Sequence, residues 1–329
     1  MKQKKMGILG AGSIAVKMAD TITQMESVIP YAIASRDLNK AEAFRAEHGF
    51  EKAYGSYKEL WSDPEVDFIY IATPHSHHAE QAKCCILAGK PVLCEKAFTK
   101  TSQEAKEVLA LAAERKVLIA EAIWPRYMPM AQTLKEFVES GTLGKITSLS
   151  ANLGYNVFKK PRVNDPALAG GSLLDVGVYT LNFASMLFGD DIKKVTSSCV
   201  MSEAGVDTQN SVILEYSDGR TATLYSSVVS FTDRMGVLYG EKGFAIVDNI
   251  NNFEALRVYD KEYKLIEHLV RPAQITGFEY EVLAMLEAME NGWLECKQMP
   301  HSEIIRIMEL MDSIRHSSKF YYPGEIQQN

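Results

Sequence analysis

The stretch Ile8-Leu9-Gly10-Ala11-Gly12-Ser13-Ile14-Ala15 constrains this chain more than any other. An apolar run, Met6 to Leu9, meets two glycines two positions apart, and a small residue, Ala15, follows three later. This is the G-x-G-x-x-G/A turn of a dinucleotide-binding βαβ unit. Gly10 permits the tight turn, Gly12 lets a pyrophosphate approach the backbone, and Ala15 lets the next helix pack on the strand. That helix is predicted over Ile14–Met25, with its first N–H groups, beginning near Ser13 and Ile14, facing the phosphates. A glycine turn alone is common. A strand before it, a helix after it and a second strand at Tyr31–Ala34 make the pattern specific.

The second strand ends in Ser35-Arg36-Asp37. An NAD site usually places an acid at this strand end, to bond the ribose 2′-OH. Ser35 and Arg36 come first here, and a guanidinium can pair with a 2′-phosphate and stack on adenine. NADP is therefore expected over NAD. The alternative is that Arg36 is a solvated loop charge and Asp37 takes the ribose. Strand and helix go on alternating: helix Leu38–His48, a short strand and turn at Tyr54–Leu60, buried strand Val66–Ala72, then Thr73-Pro74-His75-Ser76-His77-His78 entering a helix to Leu87. Strand Pro91–Cys94, Glu95-Lys96, helix Ser102–Arg115 and strand Val117–Ala120 follow. Alternation of this kind predicts a doubly wound parallel sheet, whose ligands sit at the carboxyl ends of the strands. Gly12, Arg36, Thr73, Lys96 and Trp124 all fall at such ends. No Cys, Asp or Glu set stands at metal spacing near the three histidines, so no metal is expected.

Trp124-Pro125-Arg126-Tyr127-Met128-Pro129 breaks the alternation and predicts a domain joint. Residues 1–123 are expected as the dinucleotide-binding domain, and 124–329 as an α+β domain for substrate. From Lys145 onward β-branched, alternating runs dominate: Ile146–Tyr155, Val195–Val200, Ser211–Tyr216, Thr221–Val229, Met235–Tyr239 and Phe244–Val247. They predict a large, mostly antiparallel open sheet. One helix interrupts it, Ser172 to about Phe188, and two more close the chain, Tyr280–Asn291 and Ser302–His316.

Composition narrows the function. At 329 residues the chain has length for two domains. A net charge of −7 with no Lys/Arg block argues against a nucleic-acid surface. No apolar run suggests a membrane span. The charged start, Met1-Lys2-Gln3-Lys4-Lys5, is followed by glycines at 7, 10 and 12, which argues against a signal peptide. Five cysteines without paired spacing fit reduced thiols in the cytoplasm.

The sequence resembles the glucose–fructose oxidoreductase/inositol dehydrogenase/rhizopine-catabolism (Gfo/Idh/MocA) family. Gly10–Ala15, Thr73-Pro74 with His78, Glu95-Lys96 and Gly170-Gly171-Ser172-Leu173-Leu174-Asp175-Val176-Gly177 carry the likeness over nearly the whole chain. Ala53–Tyr57, Val92–Lys96, Glu121–Trp124 with Arg126, and Asp175–Tyr179 are similar to its dimeric dihydrodiol dehydrogenase and NADP-dependent D-xylose dehydrogenase branch. The resemblance implies an enzyme that moves a hydride between NADP and a hydroxyl or carbonyl of a sugar-like or cyclic diol substrate. It implies cofactor contacts at Gly10, Gly12, Ser13, Ile14, Ser35, Arg36, Thr73, Pro74, His75, His78, Glu95, Lys96, Trp124 and Arg126. It also implies a homodimer formed through the open sheet.

Lys96, Asp175 and Tyr179 are the expected catalytic group. Most members of the family carry His where Tyr179 stands. Tyr, with a free pKa of about 10, needs help to act as a base, and an ammonium such as that of Lys96 favours the phenolate. Asp175, four residues before Tyr179 on the same predicted helix face, would orient the substrate or Lys96. The bland readings are a surface lysine, a polar helix residue and a core aromatic. Two other functions compete: a non-catalytic NADP-sensing regulator, and an NAD-dependent inositol-type dehydrogenase. Retention of Lys96, Asp175 and Tyr179 opposes the first; Tyr179 and Ser35-Arg36 oppose the second. Two departures from the family pattern stand out. His75 occupies the place of an Asn, and Ala97 that of the Pro whose bond to the lysine is typically cis. Outside proline a cis bond costs roughly 2.5–4 kcal/mol, so Lys96–Ala97 is expected to be trans.

Overall fold

The computed structural model describes residues 3–325. It divides into two compact units, one running to Tyr127 and taking in Gln274–Met308, the other holding Met128–Ala273 and the chain from Glu309 onward. The sequence predicts one crossing, near Trp124. The return of 274–308 to the first unit follows no change in composition.

The first unit is built on strands β1 (Lys4–Leu9), β2 (Val28–Ala34), β3 (Lys52–Tyr54), β4 (Phe68–Ile71), β5 (Val92–Glu95) and β6 (Ile119–Ala122). They pair in parallel in the order β3-β2-β1-β4-β5-β6. Every residue of β4, β5 and β6 is buried, as a parallel sheet covered on both faces requires. Helices α1 (Ser13–Ile22), α2 (Leu38–His48), α3 (Tyr57–Ser62), α4 (His75–Leu87) and α5 (Ser102–Arg115) connect them. α3 is a helix where the sequence suggests a turn. The Ser56 hydroxyl and the Glu59 carboxylate form a reciprocal capping box at its start, a device that stabilises a helix by about 1 kcal/mol.

In the second unit, α6 (Pro129–Glu139) precedes strand β7 (Ile146–Gly154), and the short α7 (Pro161–Asn164) leads to a π-helical turn, Leu173–Gly177, and α8 (Val178–Phe188). The sheet continues with β8 (Ile192–Met201), β9 (Asp207–Tyr216), β10 (Thr221–Ser227), β11 (Gly236–Gly240), β12 (Gly243–Asp248), β13 (Ala255–Asp260) and β14 (Leu265–Val270). Its order is β14-β13-β12-β11-β7-β10-β9-β8. Only β7 and β10 run parallel; the other neighbours are antiparallel. β13 and β14 extend the sheet beyond the strands read from sequence. α9 (Glu279–Asn291) and α10 (His301–Ser317) close the chain. Among the described residues no helix is long and apolar enough to cross a membrane, and no group of three His, Cys, Asp or Glu residues can hold a metal ion.

Candidate active site

The glycine turn has the form a dinucleotide needs. Gly10 has φ +102°, and a Cβ there would lie 2.9 Å from the Ala72 carbonyl oxygen, so only glycine fits. Around Gly12 the nearest obstacle to a Cβ is 3.9 Å away, which leaves its backbone open to a ligand. No side chain caps α1, whose N-cap is Gly12. The amides of Ser13 and Ile14 thus begin an uncapped helix, the arrangement that receives a phosphate.

At the end of β2, Ser35 is buried and its hydroxyl accepts the Asp37 N–H at 3.2 Å. Asp37 is the N-cap of α2, with Oδ1 accepting from Asn39 N (3.0 Å) and Lys40 N (3.4 Å). Its Oδ1 is engaged in capping the helix. Arg36 is exposed, and burial raises the Tyr57 phenol above its ordinary pKa against the pull of that guanidinium.

Thr73, Pro74 and His75 lead into α4 without a side-chain cap. The Thr73 hydroxyl donates to Gln81 Oε1 at 2.6 Å. His75 is buried and meets the His78 ring edge-on at 5.7 Å. His78 has no exposed surface. Its Nε2 lies 2.8 Å from the Thr73 carbonyl and its Nδ1 2.9 Å from the Ala97 carbonyl, and burial pulls its pKa down. A neutral imidazole donates to one of the two. His78 therefore pins the Thr73 turn to the Lys96–Ala97 loop, a tie behind the cofactor position expected for it.

That loop corrects one expectation. The Lys96–Ala97 peptide is cis, where the base rate favours trans. Its surroundings fix the loop from several sides. The Lys96 N–H donates to Glu95 Oε2 at 3.1 Å, His78 holds the Ala97 carbonyl, and the Phe98 N–H donates to Glu121 Oε1 at 2.9 Å. The Tyr70 hydroxyl donates to the other Glu95 oxygen. Trp124 stacks on Phe278 of the same unit (4.7 Å, 11°). Arg126 is buried and pairs with Glu303, which also receives Arg306. Trp124 and Arg126, expected at the cofactor, each also have a partner within the unit.

The sequence reading missed several buried acids, Glu121 and Glu281 among them. Burial pushes the Glu121 carboxyl up to about 8, and the Glu95 charge adds to the effect. Glu281 of α9 has no exposed surface, and neither of its oxygens has a hydrogen-bond partner. Burial raises it well above the carboxylate range, with the Glu95 charge second. Folded Glu121 keeps its proton to about pH 8, whereas an unfolded glutamate releases it near about pH 4.3. The stability carried by the protonated form is complete below the lower value and is lost as pH rises through the upper. Glu121→Gln keeps an acceptor for Phe98 and cannot ionise. It is expected to lose less stability than wild type between about pH 5 and 8, by up to roughly 4 kcal/mol. Denaturant melts across that range check this, and parallel pH curves for the two proteins would contradict it.

In the second unit, Asp175 lies in the π turn and Tyr179 in the first turn of α8. Such π turns recur at functional sites. The predicted single α-helical face is therefore replaced by a π-to-α junction. The Leu173 N–H is capped by Asp207 Oδ2 at 2.7 Å, and the Ser172 hydroxyl donates to Ser226 Oγ at 3.1 Å. Both Asp175 and Tyr179 are buried. Arg162 Nη1 donates to Asp175 Oδ1 at 2.6 Å, a partner the sequence did not suggest.

Residues 4–122 match the oxidoreductase family with an NAD-binding Rossmann fold, and residues 131–246 match the GFO/IDH/MocA C-terminal domain. The chain belongs to the Gfo/Idh/MocA oxidoreductase family. Among its relatives, a trans-1,2-dihydrobenzene-1,2-diol dehydrogenase of Xenopus tropicalis is 32% identical over 327 residues, covering 97% of this chain and 99% of the relative. The Bos taurus enzyme of the same name is 33% identical over 334 residues, 98% of each. A 3-ketoreductase from Actinomadura kijaniata, solved with NADP and TDP-benzene, has a TM-score of 0.88 at 23% identity, covering 96% of this chain and 98% of that one. Levoglucosan dehydrogenase, solved with NADH and levoglucosan, has a TM-score of 0.86 at 17% identity, covering 96% and 97%. This Gfo/Idh/MocA protein is an oxidoreductase with an NAD(P)-binding Rossmann domain.

Proposed function

We propose that the protein is an NADP-dependent dehydrogenase acting on a secondary hydroxyl of a sugar-like or cyclic diol substrate, or on the matching carbonyl in reverse. Asp37 carries the cofactor choice: its carboxylate caps α2, so the end of β2 offers the exposed Arg36 and the Ser35 hydroxyl instead. The bound nicotinamide supplies the hydride acceptor or donor. Gly10, Gly12, Ser13 and Ile14 hold the phosphates, and Thr73 to His75 with Glu95 shape the nicotinamide end. Tyr179 takes the hydroxyl proton in oxidation and returns it in reduction. Lys96 binds the reacting oxygen and favours the tyrosinate, and Asp175 orients the substrate. This requires Lys96 and Tyr179 to reach the same substrate.

Arg36→Ala is expected to weaken NADP binding roughly 10- to 100-fold, the worth of a charged hydrogen bond, and NAD binding far less. Fluorescence titration with both cofactors tests it; equal losses would contradict NADP selectivity. We also propose a homodimer. On β9 and β11 the exposed Ile213 and Tyr239 alternate with buried Val212, Leu214 and Leu238, which leaves one sheet face able to pair. A monomer mass in sedimentation would refute it. The five cysteines are unpaired, consistent with a reducing, cytoplasmic setting.

A further inference from the structure

The connection between β7 and the π turn folds back on itself. Arg162, in α7, meets Asp175 across 13 residues of sequence. The Asp175 side chain is 6% exposed and that of Arg162 is 41% exposed, so a buried carboxylate takes its cation from a side chain that solvent reaches. Two glycines permit close approaches here. A Cβ on Gly170 would lie 2.5 Å from the Val163 carbonyl oxygen, and one on Gly171, at φ +119°, would lie 2.0 Å from Asp207 Oδ1. The Gly171 N–H donates to the Val163 carbonyl at 2.8 Å, and the Val163 side chain has no exposed surface. The residue after Arg162 is thereby fastened to the residue two before the π turn. Gly170 thus admits the close approach of the Arg162 segment, and Gly171 that of Asp207.

We infer that Arg162 is a positioning residue that acts through Asp175, holding the carboxylate in one orientation. This rests on the reading of Asp175 as a site residue. A carboxylate bonded to a guanidinium is held by a short, directional contact. Removing one partner of a buried ion pair is costly, and loss of Arg162 removes this directional contact on Asp175.

A double-mutant cycle on kcat tests the inference, with Arg162→Ala, Asp175→Asn and the pair. Arg162→Ala is expected to lower kcat roughly 10- to 100-fold, as for loss of a charged hydrogen bond, with cofactor binding unchanged. Arg162→Lys, which keeps a cation that can reach Asp175 Oδ1, recovers most of the activity. In the Asp175→Asn background, Arg162→Ala costs nothing further. Arg162→Gln repeats the cycle if the alanine variant melts early. An equal loss from Arg162→Ala in both backgrounds would overturn the inference, because a general effect on folding is indifferent to residue 175. Loss in Asp175→Asn with wild-type turnover in Arg162→Ala would overturn it while leaving Asp175 in the site. Wild-type turnover in Asp175→Asn would overturn the reading of Asp175 and the inference together.

Discussion

Tyr179→Phe is expected to lower turnover by on the order of 100-fold or more, the usual worth of a positioned acid–base group, and to leave dinucleotide binding as it was. The ring is buried in the first turn of α8, and phenylalanine keeps it. Only the atom that carries the proton is lost. The residues assigned to the dinucleotide belong to the first unit, whereas Tyr179 belongs to the second, so cofactor affinity has no reason to follow turnover. Rapid-quench or steady-state rates, set beside a cofactor titration, separate the two quantities. Turnover at the wild-type level in the phenylalanine variant would make Tyr179 a packing residue.

Lys96→Met should cost about 10²- to 10³-fold in kcat, the scale found when a preorganised charge at a developing oxyanion is removed. Methionine keeps the apolar stem and discards the ammonium. The backbone around residue 96 is held by bonds to Glu95, His78 and Glu121, and none of these bonds uses the lysine side chain. The pH profile carries further information. A tyrosine has an ordinary pKa of about 10, and a nearby ammonium lowers it. In Lys96→Met the acidic limb of the oxidation profile should therefore move to higher pH. A fall in kcat with that limb unmoved would leave Lys96 as a substrate-binding group with no part in tuning Tyr179.

The parallel sheet was legible because Phe68–Ile71 and Val92–Cys94 are short apolar runs buried on both faces, with Gly or Pro close by. β14 was not, because five of its six residues are exposed, and an edge strand without a buried face has no alternation to read. β13 carries Arg257 and Asp260, which interrupt its apolar signal. The Gly10–Ala15 turn was legible through its spacing together with the strand before it and the helix after it. His78 did not, since a histidine in a polar loop gives no sign that the fold will enclose it completely. Glu121 left a trace, a charge inside the apolar run Ile119–Ile123. Glu281 left none, because α9 also carries Glu279, Glu287 and Glu290, and no pattern in sequence separates the buried Glu279 and Glu281 from the exposed Glu287 and Glu290. The cis Lys96–Ala97 bond and the Arg162–Asp175 pair share one cause: both depend on groups brought from elsewhere in the chain, and local preference is silent about such neighbours.

The most direct measurement follows reduced-nicotinamide absorbance while aldoses and cyclic diols are offered with NADP or NAD, for the wild-type protein and for Tyr179→Phe. The wild-type protein is expected to reduce NADP with at least one of these substrates, faster than it reduces NAD, and the phenylalanine variant to lose that rate while still binding NADP. Tight NADP binding with no reduction by any substrate would contradict the assignment and point to a protein that senses the cofactor.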